Sequence, residues 1–290
     1  MKPAPFAYHA PNTIDEALAI LGSDPDRSRL LAGGQSLVPM LNLRLANFDH
    51  LIDINRISGL NHVRIDGDRL AIGALARQYD VARNDVVQKR LPVLSRALAN
   101  VGHTAISNRG TIVGSLCHAD PAAELPAVLL AVGGELSVQG TSGMRNIHAD
   151  DFFDTSFTTA LDANEIAVEV RFELATGTTG WSVEEIARRH GDFALVGVVI
   201  QMTLEGALIG DVRIALFGVA PIPQRMSTAE KQLIGKTLDE TVLDQAVANV
   251  TASLNPPQDI HATAGYRRHV AGVLVRRGLL RASEDAKLRT

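Results

Sequence analysis

Two glycine-bearing stretches carry residues whose types and spacing suit anion chemistry. One is Leu31-Ala32-Gly33-Gly34-Gln35-Ser36-Leu37; the other is Gly110-Thr111-Ile112-Val113-Gly114-Ser115. Paired glycines after a strand let the backbone take positive φ and approach a ligand closely. Successive N–H groups in such a turn make a concave anion site, and a following helix N-terminus adds its dipole. Taken together, the two turns grip one diphosphate between them. Taken singly, each is an ordinary turn with glycines for geometry. Neither reads GxGxxG, so the nicotinamide-type fingerprint is absent, and no GK[ST] follows to make a P-loop.

Carboxylates follow the second turn. Asp120-Pro121 has the pattern of a helix N-cap with proline at the first helical position. A carboxylate there caps backbone N–H groups, or accepts from ribose hydroxyls or an adenine amine. Glu124 lies one turn further in, where capping explains it less well. A third stretch, Glu185 to Phe193 (EIARRHGDF), sets Arg188 and Arg189 beside Asp192, by composition a solvated ion-pair cluster. Phe193 suits a core equally well. The nine histidines show no HExxH or other metal spacing, so no metal site is expected. His103, His118 and His190 read as local hydrogen-bonding groups. The single cysteine, Cys117, excludes an internal disulfide, an iron–sulfur cluster or a thiolate zinc site, and suits a reducing cytosol.

The elements that must position these residues are legible in outline. Thr13 to Glu16 is a capping box opening a helix with Ile14, Ala17, Leu18 and Leu21 on one face. Leu30 to Ala32 is a strand feeding the first turn, and Val38 to Leu45 a helix leaving it. His50 to Ile54 is a strand; His62 to Ile65 and Arg69 to Ile72 form a hairpin across Asp66-Gly67-Asp68. Helices are expected over Tyr79 to Val87, Pro92 to Asn100 and Asp120 to Leu130. Ala105 to Asn108 reads as extended and Thr111 to Val113 as a brief strand broken at Gly114-Ser115. Strands follow over Glu135 to Gln139 and Ile166 to Phe172. Ala175 to Gly180 (ATGTTG) is the linker candidate. Beyond it come strands over Trp181 to Ala187, Leu195 to Leu204 and Val212 to Phe217, then helices over Thr228 to Leu233 and Thr241 to Leu254. The last helix is His261 to Leu280, with Tyr266, Val270, Val273 and Leu274 facing inward.

At 290 residues the chain is long enough for two domains. It is 46% apolar and 21% charged, with net charge −4 and only 4% aromatic residues. No basic stripe or aromatic series argues for nucleic acid. No run is long enough to span a bilayer, and the N-terminus lacks the apolar region of a signal peptide.

Read as a set, LAGGQSLVPMLNLRLA, SNRGTIVGSLCHADPAAELPAVLLA, EIARRHGDFALV and the C-terminal YRRHVAGVLVRR resemble the FAD-binding medium subunit of molybdenum hydroxylases. That family includes aerobic carbon monoxide dehydrogenase, bacterial xanthine-type dehydrogenases and N-heterocycle dehydrogenases. The resemblance covers about residues 3–280. It implies an α+β chain: an FAD-binding domain of the vanillyl-alcohol oxidase type over 1–176, built from two α+β subdomains of about 1–55 and 56–176. A C-terminal domain over 177–285 follows, with a three-stranded antiparallel sheet and helices.

The resemblance also implies a division of labour in a cytoplasmic heterotrimer or its dimer. A large subunit holds the molybdopterin cofactor and hydroxylates substrate. A small subunit carries two [2Fe–2S] clusters. This oxidoreductase subunit moves electrons from those clusters through FAD to an external acceptor. Carried over by position, Leu31, Ala32, Gly33, Gly34, Gln35, Ser36 and Leu37, with Gly110, Thr111, Ile112, Val113, Gly114 and Ser115, hold the FAD diphosphate. Asp120 and Glu124 serve the adenosine end, and Val101 and Leu161 line flavin or adenine. Phe193 covers the isoalloxazine near N5, with Asp192 beside it. No residue here is catalytic toward the organic substrate.

Two departures stand out. The second motif more often reads TIGGN or TIGGS, and Val113 replaces its first glycine; a β-branched residue does not take positive φ cheaply. Carbon monoxide-oxidising members tend to carry His at Gln35 and Tyr at Phe193, so the expectation is an aromatic N-heterocycle or purine hydroxylase. The alternatives are a carbon monoxide dehydrogenase medium subunit, a free-standing FAD oxidase, and a scaffold subunit that has lost FAD.

Overall fold

The computed structural model describes residues 1–289. The chain opens with a small parallel sheet in which His50–Asp53 lies between Ala7–His9 and Ser28–Leu31. The helix Ile14–Ser23 covers it and buries Ala17, Leu18 and Leu21. The capping box is present: Thr13 Oγ1 accepts from the Glu16 N–H at 3.1 Å, and the Glu16 carboxylate accepts from the Asn12 N–H at 2.8 Å.

A five-stranded antiparallel sheet follows, in the order Val63–Asp66, Arg69–Gly73, Ile166–Glu173, Gly134–Gly140, Gly143–His148. Short helices pack against it, and the apolar helix Glu124–Val132 is buried on every side. It can be apolar all round because it lies between this sheet and the next one.

The last sheet pairs Thr178–Ala187, Ala194–Glu205 and Leu208–Phe217 antiparallel, with the two-residue strand Gln224–Arg225 at its edge, so the expected three strands become four. Both faces of its central strand are covered, as the period-2 alternation requires. Val198, Ile200 and Met202 join a core under the helices Ser227–Leu233, Glu240–Ser253 and Ala264–Lys287; Val199 joins the core around Glu124–Val132.

Several local expectations are corrected. The ATGTTG stretch becomes strand from Thr178, and Gly180 serves close approach rather than flexibility: a Cβ there would meet the backbone of Ala282 and Ala286 on the last helix. That helix runs Ala264–Lys287 from a Thr263 cap, and Tyr266 and Val273 are exposed rather than facing in. The helix expected over Tyr79 to Val87 is two helices, Gln78–Arg83 and Asp85–Arg90, because the Asn84 side chain caps the second. Thr104–Ser107 is a helical turn, not extended. The segment expected as a strand over Thr111 to Val113 is the start of the helix Ile112–His118.

Candidate functional site

The first turn leaves the parallel sheet at Leu31 and enters a helix at Leu37–Asn42. Its carbonyls are engaged within the protein. Asn55 Nδ2 donates to Ala32 O at 2.8 Å, Gln35 Nε2 to Gly33 O at 3.1 Å, and the Val38 N–H to Gly34 O at 2.9 Å. The N–H groups of Gly33, Gly34, Gln35 and Ser36 donate to no group among the described residues. Gly34 has φ +72°, the left-handed region that favours glycine. The helix that follows has only six residues, so the anion site rests on turn N–H groups more than on a helix dipole.

The second turn is held differently. Gly110 O accepts from the Gln78 N–H at 2.9 Å, and Thr111 caps the helix Ile112–His118 by accepting from the Gly114 N–H at 3.1 Å. Val113 lies in the first turn of that helix with negative φ and its side chain in the core. A β-branched residue is therefore accommodated without backbone strain. Gly114 is needed for space: a Cβ there would lie 2.5 Å from Thr111 Oγ1.

The two turns touch. A Cβ on Gly33 would lie 2.9 Å from Gly110 Cα and also strike the Arg109 carbonyl oxygen. A polar chain spans the same gap. Arg77 donates from one guanidinium nitrogen to Asn55 Oδ1 at 2.5 Å and from the other to Arg109 O at 2.6 Å, while Asn55 holds Ala32 O. Residue types alone did not single out Asn55 or Arg77; their roles depend on which elements become neighbours.

A cleft of about 590 Å³ brings Asp120, Asp192 and Phe193 together with Arg188, His261 and Arg267. Phe193 is 60% exposed at its edge, so it is not core. Asp120 does not cap the helix as expected: its Oδ1 accepts from the Ala122 N–H at 2.8 Å in a turn, and the helix begins at Glu124. The expected Arg–Asp192 cluster does not form; Arg188 reaches His261 at 3.5 Å, and the Asp192 N–H bonds Arg189 O. Gly191, at φ +85°, lies against Gly102 and His103, which sets the Phe193 loop beside Val101. Val101 and Leu161 both pack, half-buried, on the main core.

Glu124 is 5% exposed at the start of the fully buried helix. Burial pushes its carboxyl up to about 8, against a backbone hydrogen bond, and Glu185 and Asp120 add repulsion. Burial also raises Glu185, against an Asn100 hydrogen bond, and Glu185 Oε2 is buried without a partner among the described residues. Glu185 lay in the third stretch, but no sequence signal marked it apart. Among the described residues no group of His, Cys, Asp or Glu could hold a metal ion, and no helix is long and apolar enough to cross a membrane.

The arrangement suits a diphosphate-bearing ligand: unpaired N–H groups on the first of two touching turns, the buried Glu124 with the half-buried Glu185 and Asp120, and an exposed aromatic ring on the cleft. A family model described as the FAD binding domain in molybdopterin dehydrogenase matches residues 4–172, and one described as the CO dehydrogenase flavoprotein C-terminal domain matches 181–282. The chain is 38% identical to the carbon monoxide dehydrogenase medium chain of Hydrogenophaga pseudoflava, over 96% of this chain and 97% of that one. Among solved structures, carbon monoxide dehydrogenase from Hydrogenophaga pseudoflava lacking the Mo-pyranopterin moiety of its molybdenum cofactor is similar at TM-score 0.96 and 38% identity, covering 98% of this chain and 99% of that one. Quinoline 2-oxidoreductase from Pseudomonas putida 86 is similar at TM-score 0.94 and 34% identity, covering 99% of each chain.

Proposed function

The chain belongs to the family of FAD-binding medium subunits of molybdenum hydroxylases, and on that premise we propose that it carries electrons from [2Fe–2S] clusters of a small subunit, through FAD, to an external acceptor. FAD supplies the redox chemistry when bound; this chain binds it, orients it and limits access to it. The observation that carries the proposal is the apposition of Gly33 and Gly110, with unpaired N–H groups around it.

In this reading the N–H groups of Gly33 to Ser36 donate to one side of the diphosphate, and the turn from Gly110 to Ser115 holds the other. Leu31 and Leu37 anchor the ends of the first turn. Glu124 and Asp120 receive donors of the adenosine end, and Val101 and Leu161 line a ring. Phe193 covers the flavin near N5 with Asp192 beside it. The FAD-binding domain is read as ending near residue 176, and the assembly as a cytoplasmic heterotrimer or its dimer with a large molybdopterin subunit.

Gln35 and Phe193 favour a partner that hydroxylates an aromatic N-heterocycle or purine. The 38% identity to a carbon monoxide dehydrogenase medium chain favours carbon monoxide as the second reading. The visible spectrum of the purified chain tests the first claim: a flavin spectrum at one FAD per chain is expected, and a colourless folded protein would refute it. Assay of the purified complex with quinoline-type and purine substrates against carbon monoxide separates the two substrate readings.

A further inference from the structure

Nothing in the turns themselves explains why they stay in contact. The first leaves the parallel sheet and the second opens the helix Ile112–His118, which packs on the antiparallel sheet, and each is joined to its own subdomain by ordinary backbone bonds. One side-chain chain crosses between them. Tyr8 OH donates to Asp53 Oδ2 at 2.6 Å, and Asp53 Oδ1 accepts from the Asn55 N–H at 2.9 Å and from Asn55 Nδ2 at 2.5 Å. Asn55 is thereby oriented with Nδ2 toward Ala32 O and Oδ1 toward Arg77. Arg77 completes the span by donating to Arg109 O, the same carbonyl that a Cβ on Gly33 would strike.

Arg77 sits on a stiff support. Its neighbours Ala76 and Gln78 bond the second turn through Ala76 O, which accepts from the Ile112 N–H at 3.4 Å, and the Gln78 N–H, which donates to Gly110 O at 2.9 Å. A guanidinium suits this position because its planar fork presents two donors at a fixed separation; an ammonium keeps the charge but not the fork. The bonds engage only carbonyl oxygens of the turns. They leave the N–H groups of Gly33 to Ser36 without a partner among the described residues, while those of Gly110, Ile112, Gly114 and Ser115 bond within the protein and shape the second turn.

We infer that Asn55 and Arg77 are a positioning pair for the cofactor: they lock the two turns into one anion cradle by their carbonyl oxygens, so that the free N–H groups of Gly33 to Ser36 and the second turn close on the same diphosphate. The inference rests on the FAD reading above. It makes the clasp a determinant of diphosphate binding rather than of folding alone, because each turn keeps its own backbone bonds when the clasp is cut.

The test compares wild type, Arg77→Met, Arg77→Lys and Asn55→Ala in the purified full-length protein. Three quantities are read: the dissociation constant for FAD by flavin fluorescence, the ³¹P resonances of bound FAD, and the melting temperature without FAD. All three variants are expected to weaken FAD binding at least tenfold and to shift the ³¹P resonances, with a cofactor-free melting temperature close to wild type. Lysine is expected to fail as badly as methionine, and the Met–Ala double variant to be no worse than either alone. Full rescue by lysine would overturn the inference, showing that charge alone is needed. Wild-type FAD affinity in Asn55→Ala would overturn it too, as would lost affinity with unmoved ³¹P resonances and a collapsed melting temperature. If wild type itself binds no FAD, the cofactor reading falls; if wild type binds and the variants bind equally, only the clasp falls.

Discussion

Gly33 and Gly110 lie so close that neither turn can move toward the other: a methyl group added to Gly33 would sit 2.9 Å from the α-carbon of Gly110. This contact joins a turn from the parallel sheet to one packed on the antiparallel sheet. It makes a single site of two motifs far apart in the chain.

Gly33→Ala should therefore push the turns apart without unfolding either. Overpacking against backbone costs about 1–3 kcal/mol, and that strain falls on the contact itself. FAD content after gel filtration is expected to drop to a small fraction of wild type, with the circular dichroism spectrum retained. A fully flavinated Gly33→Ala protein would argue against the cradle.

Glu124 gives the cofactor-free protein a pH signature. Its carboxyl is raised in the folded state to about 8, from an ordinary value of 4.5. Below the unfolded value both states hold the proton and nothing is lost. As pH rises from about 4.5 to 8 the folded state retains a proton that the unfolded chain releases, so stability declines; above 8 the whole penalty is present. Urea unfolding at pH 5 and pH 8 should show this decline in wild type and a shallower one in Glu124→Gln. Identical pH slopes in the two proteins would sink the assignment.

Phe193 stands 60% exposed on the cleft, at a loop held by Gly191 against Gly102. Phe193→Ala should leave FAD bound and change the rate at which reduced flavin reacts with oxygen or an added acceptor. Stopped-flow reoxidation reads this directly. Unchanged rates would remove Phe193 from the gating role.

Glu230 is a stability probe remote from the cradle. Its buried carboxylate accepts from the Ile214 N–H at 2.7 Å and from Arg225 at 2.8 and 2.7 Å. Glu230→Ala strands the partly buried guanidinium and should cost roughly 3–5 kcal/mol. Chemical denaturation of the cofactor-free protein measures it; a loss under 1 kcal/mol would show that water or rearrangement replaces the carboxylate.

Local sequence was sufficient at several places where structure is local. The Thr13–Glu16 box, the hairpin through Asp66-Gly67-Asp68 and the strand feeding Gly33 depend on neighbours within a few residues, and each was legible. The motif strings also carried the family resemblance, and the two family models match the parts of the chain that hold them. Local sequence misread Thr111 to Val113 as strand, since three apolar or β-branched residues look alike in a strand and in a capped helical turn; the Thr111 hydroxyl on the Gly114 N–H decides it. Gly180 looked like linker because composition does not record that a helix backbone will lie on its α-carbon.

What the sequence by itself determined was the set of parts: two glycine turns, the strand and helix that flank the first, and a single cysteine. Only the tertiary structure decided that Gly33 meets Gly110, that Arg77 and Asn55 bridge them, and that the buried Glu124 lies near the half-buried Glu185. Those relations are contacts between elements distant in the chain. They follow from how three sheets and a wholly buried helix pack, and no local periodicity encodes that packing.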